Sequence, residues 1–226
     1  MDRSLILSRS LPNDLEKKVI HKVSDAQPRS KPTSTFASSQ IQTMRVRTLA
    51  EVAGAVALSG ALDLVKVFTF PEGGSITLAA MTPVILLALR RGAKAGTIAG
   101  AIFGLVDLIE LPFVVHPLQL LLDYPIAFGA LGLAGFFQRK HWGKLLQLRP
   151  SMSRMLPIMG VTVAISARFL FHFVSGIVYF SSFAPSDEGP VIYSAVYNAS
   201  YLLPEMIITA IVISVLVRFN VLDLYR

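Results

Sequence analysis

The chain contains no cysteine, which excludes disulfides, thiolate metal sites and cysteine nucleophiles. Charge is also scarce: 15% of the 226 residues are charged, against about a quarter in an ordinary soluble domain. There is one tryptophan, Trp142. Apolar residues fill the deficit, at 53% of the chain with a mean hydropathy of +0.60. This is the composition of an integral membrane protein. A net charge of +7 would suit nucleic acid in a soluble protein, but in a membrane protein the position of the basic residues along the chain comes first.

Residues 1–43 are polar, rich in Ser, Lys, Arg, Pro and Gln, and lack sustained apolar periodicity. They predict a flexible, disordered tail over 1–44 ahead of a membrane domain at 45–226. The stretch has no apolar core of the signal-peptide kind, and Met44 opens "MRVRTLAEVAG" directly before the first apolar run, as a downstream start would. From Thr48 six apolar segments follow, at 48–67, 76–90, 94–110, 118–137, 155–180 and 191–217. The second and third, separated by "RRGAK", read as a helical hairpin turning at Gly92. The fold class predicted is all-α, with six transmembrane helices.

Nineteen of the 21 Lys and Arg residues fall before the first segment, in alternate connections or at the end of the chain. By the positive-inside rule that side, with both termini, is cytoplasmic. Topology thus accounts for the positive charge, and nucleic acid is dropped as a partner. The exceptions are Lys66 and Arg168, the latter deep in the fifth segment.

Ionisable groups in a bilayer cost several kcal/mol and usually face a cavity or one another. The orientation places Asp63, Asp107, Glu110, Asp123, His172 and Asn198 in the outer half of the membrane and Glu205 near the middle. Glu51, at the cytoplasmic start of the first span, is expected to snorkel. Arg168, His172, Gly176 and Phe180 recur every four residues, with Ser175 and Tyr179 alongside, giving the fifth helix one polar and aromatic stripe. Asn198, Tyr201 and Glu205 form a second stripe, expected to oppose it. Asp123 precedes Pro125, whose ring removes a donor and kinks a helix. Together these predict a pocket open to the outside. Its carboxylates outnumber its one fixed cation, and Phe113, Tyr124, Tyr179, Phe180, Tyr193 and Tyr197 supply rings. A cationic planar ligand suits that mixture.

Three stretches, "PEGGSITLAAMTPVILLALRRGAKAGTIAG", "HPLQLLLDYPIAFGALGLAG" and "HFVSGIVYFSSFAP…YSAVYNASYLLPE", in this order and spacing, resemble the thiamine-specific substrate-binding subunits (S components) of energy-coupling factor transporters, the ThiT/YuaJ family. The resemblance covers residues 45–220. It implies a six-helix subunit in a prokaryotic plasma membrane that captures thiamine outside with high affinity. It also implies a transmembrane coupling subunit and two cytoplasmic ATPases as partners, with no cofactor and no catalytic or metal site. Carried over, the family's acidic residue before Tyr falls on Asp123 and Tyr124, with Asp where some members have Glu. Its basic residue four before a His falls on Arg168 and His172, and the aromatic eight further on is Phe180, where some members have Trp. Gly176, Tyr193 and Asn198 also match; Glu72, Phe70 and Phe113 are further candidates, and Glu205 joins them from the pocket reading above.

Small residues every four positions let membrane helices approach closely. "AEVAGAVALSGA" places Ala53, Ala57 and Gly60/Ala61 on such a face, which in similar S components docks on the coupling subunit; packing within the same bundle is the alternative. "PEGGS" lacks the GK[ST] of a phosphate loop, so ATP hydrolysis falls to partners. Three other readings stay open: an S component for another vitamin or a thiamine precursor, an intramembrane hydrolase using His172 with Ser175 or Asp123, and a channel working without ATPases.

Overall fold

A computed structural model describes residues 34–148 and 152–223; the tail expected over residues 1–33 lies outside them. Contacts divide the chain between Arg45 and Val46, and the site lies wholly in the second unit. The first helix, α1, spans Ser34–Asp63, so the last part of the expected irregular tail is helical. After Pro32 that stretch has neither Gly nor Pro, and an existing helix extends at little cost.

The chain then departs from the sequence reading. The helix stops at Asp63, and "KVFT" pairs as a strand, β1 (Lys66–Thr69), with β2 (Ser75–Thr77). Lys66 faces Thr77 and Thr69 faces Ser75 in antiparallel register. Val67, Phe68 and Thr69 are β-branched or aromatic, which favours a strand. The turn between them uses Gly73 at φ +92°, where a side chain would be strained. The second apolar segment therefore begins as a strand, and helix α2 starts only at Thr82.

Helix α2 (Thr82–Arg91) and α3 (Ala93–Glu110) meet at Gly92, φ +101°, the turn expected. At ten residues α2 rises about 15 Å, half of a hydrocarbon core of about 30 Å. Helix α4 covers Pro117–Trp142, followed by a short α5 (Gly143–Leu148), α6 (Met152–Tyr179) and α7 (Pro190–Arg218). Among the described residues the architecture is thus six main helices, the short α5 and one β-hairpin. Three helices among the described residues, α4, α6 and α7, are long and apolar enough to cross a membrane.

Around Pro125, α4 relaxes into a π turn, Leu122–Ile126, and it tightens to 3₁₀ geometry over Ala130–Phe137. A proline without an N–H cannot continue the α ladder, and π turns recur at functional sites. The wall behind this turn is α3. A Cβ on Gly100 would collide with the carbonyl of Phe128, and one on Gly104 with that of Tyr124, so the absence of side chains lets the two backbones touch. Phe103, Phe128, Leu131, Val161, Ile165, Leu202 and Ile213 fill the core between α3, α4, α6 and α7.

Two further expectations are refined. Glu51 does not snorkel alone: Arg91 grips it with two nitrogens, Nε at 2.7 Å from Oε2 and Nη2 on Oε1. On α1, Ala53, Ala57 and Ala61 are exposed, whereas Gly60 is buried with Val106 of α3 beside it. The small-residue stripe therefore splits, its alanines facing outward and Gly60 facing the bundle.

Candidate functional site

The two polar stripes meet. A Cβ on Gly176 of α6 would strike the Ser194 side chain of α7 and come within 3.4 Å of Asn198 Nδ2. Asn198 Nδ2 donates to the Ser194 carbonyl at 2.8 Å, and Tyr201 donates to Asn198 Oδ1 at 2.6 Å. With both amide ends occupied, Asn198 is held in one orientation.

Across the cavity, α4 supplies the acid. Asp123 Oδ1 lies 3.1 Å from His172 Nδ1, and its Oδ2 accepts from Ser175 Oγ and Gln119 Nε2, both at 2.8 Å. Arg168 Nε donates to His172 Nε2 at 3.1 Å. An Nε2 that accepts carries no proton, so the imidazole proton sits on Nδ1 and is donated to Asp123. Arg168 also donates to the Met81 sulfur at 3.0 Å and rests 3.7 Å over the Phe128 ring, a cation–π contact. The chain Arg168, His172, Asp123 thus carries positive charge towards a carboxylate that keeps acceptor capacity for a ligand.

The hairpin closes another side. Tyr197 Oη accepts from the backbone N–H of Glu72 at 3.1 Å and of Gly74 at 3.3 Å. Glu205 Oε1 accepts from Thr77, through its hydroxyl at 2.6 Å and its backbone N–H, while Glu205 Oε2 is buried with no hydrogen-bond partner among the described residues. At the mouth, Phe113 and Phe180 stack at 5.8 Å with planes 19° apart, and Tyr193 stacks on Tyr197.

One cavity is lined by Asp123, Tyr124, Arg168, His172, Gly176, Phe180, Tyr193 and Asn198, and equally by Glu72, Phe113 and Glu205. Sequence reasoning placed Glu110 here too; instead it lies off the lining, beside Gly60 of α1. Phe70 also stays out and packs against Tyr197 and Tyr201, and Tyr179 stacks on His116 outside. Residues missed were Gln119, Met81 and Thr77. Gln119 was signalled by its position four before Asp123; Met81 and Thr77 carried no signal, because their stretch read as a span. Among the described residues no group of three His, Asp or Glu is arranged to hold a metal ion. Nor do Ser175 and His172 form a nucleophile and base, since the hydroxyl donates to Asp123 and both ring nitrogens are engaged.

Fold and cavity together define a helical membrane protein with an acidic and aromatic cavity for a small solute. The family model described as thiamine transporter protein (Thia_YuaJ) matches residues 49–222, and the chain belongs to that family. It is 36% identical over 178 residues to the thiamine transporter ThiT of Bacillus subtilis (strain 168), covering 77% of this chain and 92% of the relative. To ThiT of Lacticaseibacillus paracasei it is 29% identical over 140 residues, 60% of this chain and 70% of the other. The solved structure of ThiT from Listeria monocytogenes superposes with a TM-score of 0.69 at 24% identity, over 78% of this chain and 96% of that one, which shows a shared fold.

Proposed function

We propose that this chain is the thiamine-capturing subunit of an energy-coupling factor importer, binding the vitamin outside with high affinity and releasing it inward. It is a transport protein and not an enzyme, as its family indicates. The observation that carries the reading is Asp123, held by His172, Ser175 and Gln119 in a ring-lined cavity. Thiamine joins an aminopyrimidine to a permanently cationic thiazolium. A carboxylate suits the donors of the first, and the faces of Tyr193, Tyr197, Phe113 and Phe180 suit the second. Tyr124, Arg168, Gly176, Asn198, Glu72 and Glu205 complete the site in this reading.

The membrane domain, residues 45–226, takes six spans of a prokaryotic plasma membrane, the second made of β2, the turn after it and α2 together, with both termini in the cytoplasm. The exposed alanines 53, 57 and 61 of α1 dock on a coupling subunit, which two cytoplasmic ATPases drive. The test is calorimetric titration of the detergent-purified protein with thiamine, repeated with Asp123→Ala and His172→Ala. One-to-one binding to the native protein, lost in Asp123→Ala and weakened in His172→Ala, is expected; absence of heat in the native protein sinks the substrate assignment.

A further inference from the structure

Gln119 sits one helical turn before Asp123 and is 1% exposed. Its amide makes three hydrogen bonds, with both N–H groups used. Nε2 donates to Asp123 Oδ2 at 2.8 Å and to the Phe113 carbonyl at 3.1 Å, while Oε1 accepts the backbone N–H of Val115 at 3.1 Å. Only a primary amide offers two donors and an acceptor on one small plane. Glutamate here would turn a second carboxylate towards Asp123, and methionine would keep the volume while losing all three bonds.

The other end of this linkage is the mouth. Phe113 stacks on Phe180 at 5.8 Å. A planar ligand between two rings needs about 7 Å, two contacts of roughly 3.5 Å, so a bound ring does not fit between this pair and lies beneath it, with Phe113 on its way out. The loop carrying Phe113 is fastened by Gln119, and by Tyr124, whose hydroxyl accepts from the Phe113 N–H and donates to the Leu111 carbonyl. Both fastenings start from α4 beside the acid. Asp123 meanwhile receives two donors on Oδ2, from Gln119 and Ser175, and one on Oδ1 from His172. Of the carboxylate's roughly four lone-pair sites, the free one is on Oδ1.

We propose that Gln119 is a positioning residue that couples the mouth of the cavity to its acid, turning the free lone pair of Asp123 Oδ1 to the ligand and holding the Phe113 loop over it. This rests on the reading that Asp123 meets the substrate. The ligand then takes a single contact on Oδ1, Gln119 keeps its bonds, and the mouth stays shut while the site is occupied.

The test has a ligand-free arm and a binding arm, both on the full chain. In the first, Trp142→Phe removes the native indole and Phe113→Trp places one at the mouth. Adding Gln119→Met is expected to raise its quenching by acrylamide at least twofold, and unchanged quenching overturns the loop anchor. In the second, dissociation of labelled thiamine is followed with the native Phe113. Gln119→Met is expected to speed release tenfold or more and Gln119→Glu to speed it further, whereas in an Asp123→Asn background the effect of Gln119→Met falls below threefold. Equal effects in both backgrounds overturn the coupling, as do native rates in both variants. If the native protein takes up no thiamine, the proposed function fails and the inferred coupling to substrate fails with it, while the quenching arm still decides the loop anchor.

Discussion

His172 Nδ1 lies 3.1 Å from Asp123 Oδ1, joining α6 to α4 across the cavity. Because Arg168 occupies the other ring nitrogen, the imidazole is fixed as a donor to the acid. The pair acts as one unit: His172 aims the carboxylate, and the guanidinium behind it keeps the negative charge favourable in an apolar setting.

Removing either member should therefore cost stability as well as binding. His172→Ala leaves a mostly buried carboxylate and an Arg168 donor short of a partner. A charged hydrogen bond is worth about 1.5–3 kcal/mol, so thiamine affinity is expected to fall about 10- to 150-fold. Calorimetry reads the loss, and thermal unfolding without ligand shows a lower midpoint.

Gly176→Ala should push α6 from α7. The new Cβ would lie 2.9 Å from Ser194 Cβ, and the Ser194 hydroxyl is committed to the Phe173 carbonyl at 2.8 Å. Overpacking of this kind costs about 1–3 kcal/mol. A lower unfolding midpoint with weaker thiamine binding is expected, partly restored by adding Ser194→Ala.

Thr77→Val should loosen the hairpin and little else. It keeps the shape but removes the hydroxyl that donates to Glu205 and accepts from Ala80 N–H at 3.2 Å. Amide hydrogen exchange over residues 66–77 is expected to rise about tenfold, about 1.4 kcal/mol of local opening, with α6 and α7 unchanged.

Ala57→Leu separates binding from transport. Ala57 is exposed on α1 and away from the cavity lining, so thiamine affinity of the isolated subunit should stay within twofold of native. Co-purification with a coupling subunit and ATP-driven uptake are both expected to be lost. Retained uptake would remove the alanine face from the docking model.

Intrinsic tryptophan emission should be blind to the ligand. Trp142 is at the far end of α4, its indole donating to the Phe136 carbonyl at 3.0 Å, and it does not line the cavity. Saturating thiamine is expected to leave its emission within a few per cent, whereas the Phe113→Trp variant should respond.

Six apolar segments, the turn at Gly92 and the two polar stripes of α6 and α7 were all legible in the chain. Each is a local pattern: helix periodicity and apolar length are written in consecutive residues. The hairpin was not legible, because "KVFTF" as a short apolar run reads equally as a helix end. It becomes a strand when "SIT" pairs with it and Tyr197, Tyr201 and Glu205 of α7 receive its backbone and side chains. Partnership was likewise decided only by the tertiary structure: Glu51 with Arg91, Glu110 away from the cavity, Gln119 on Asp123, and alanines outward where Gly60 turns inward. Periodicity names the face on which a residue sits, but which atoms meet across that face depends on how closely glycine-lined backbones approach, and on chain brought back from more than a hundred residues away.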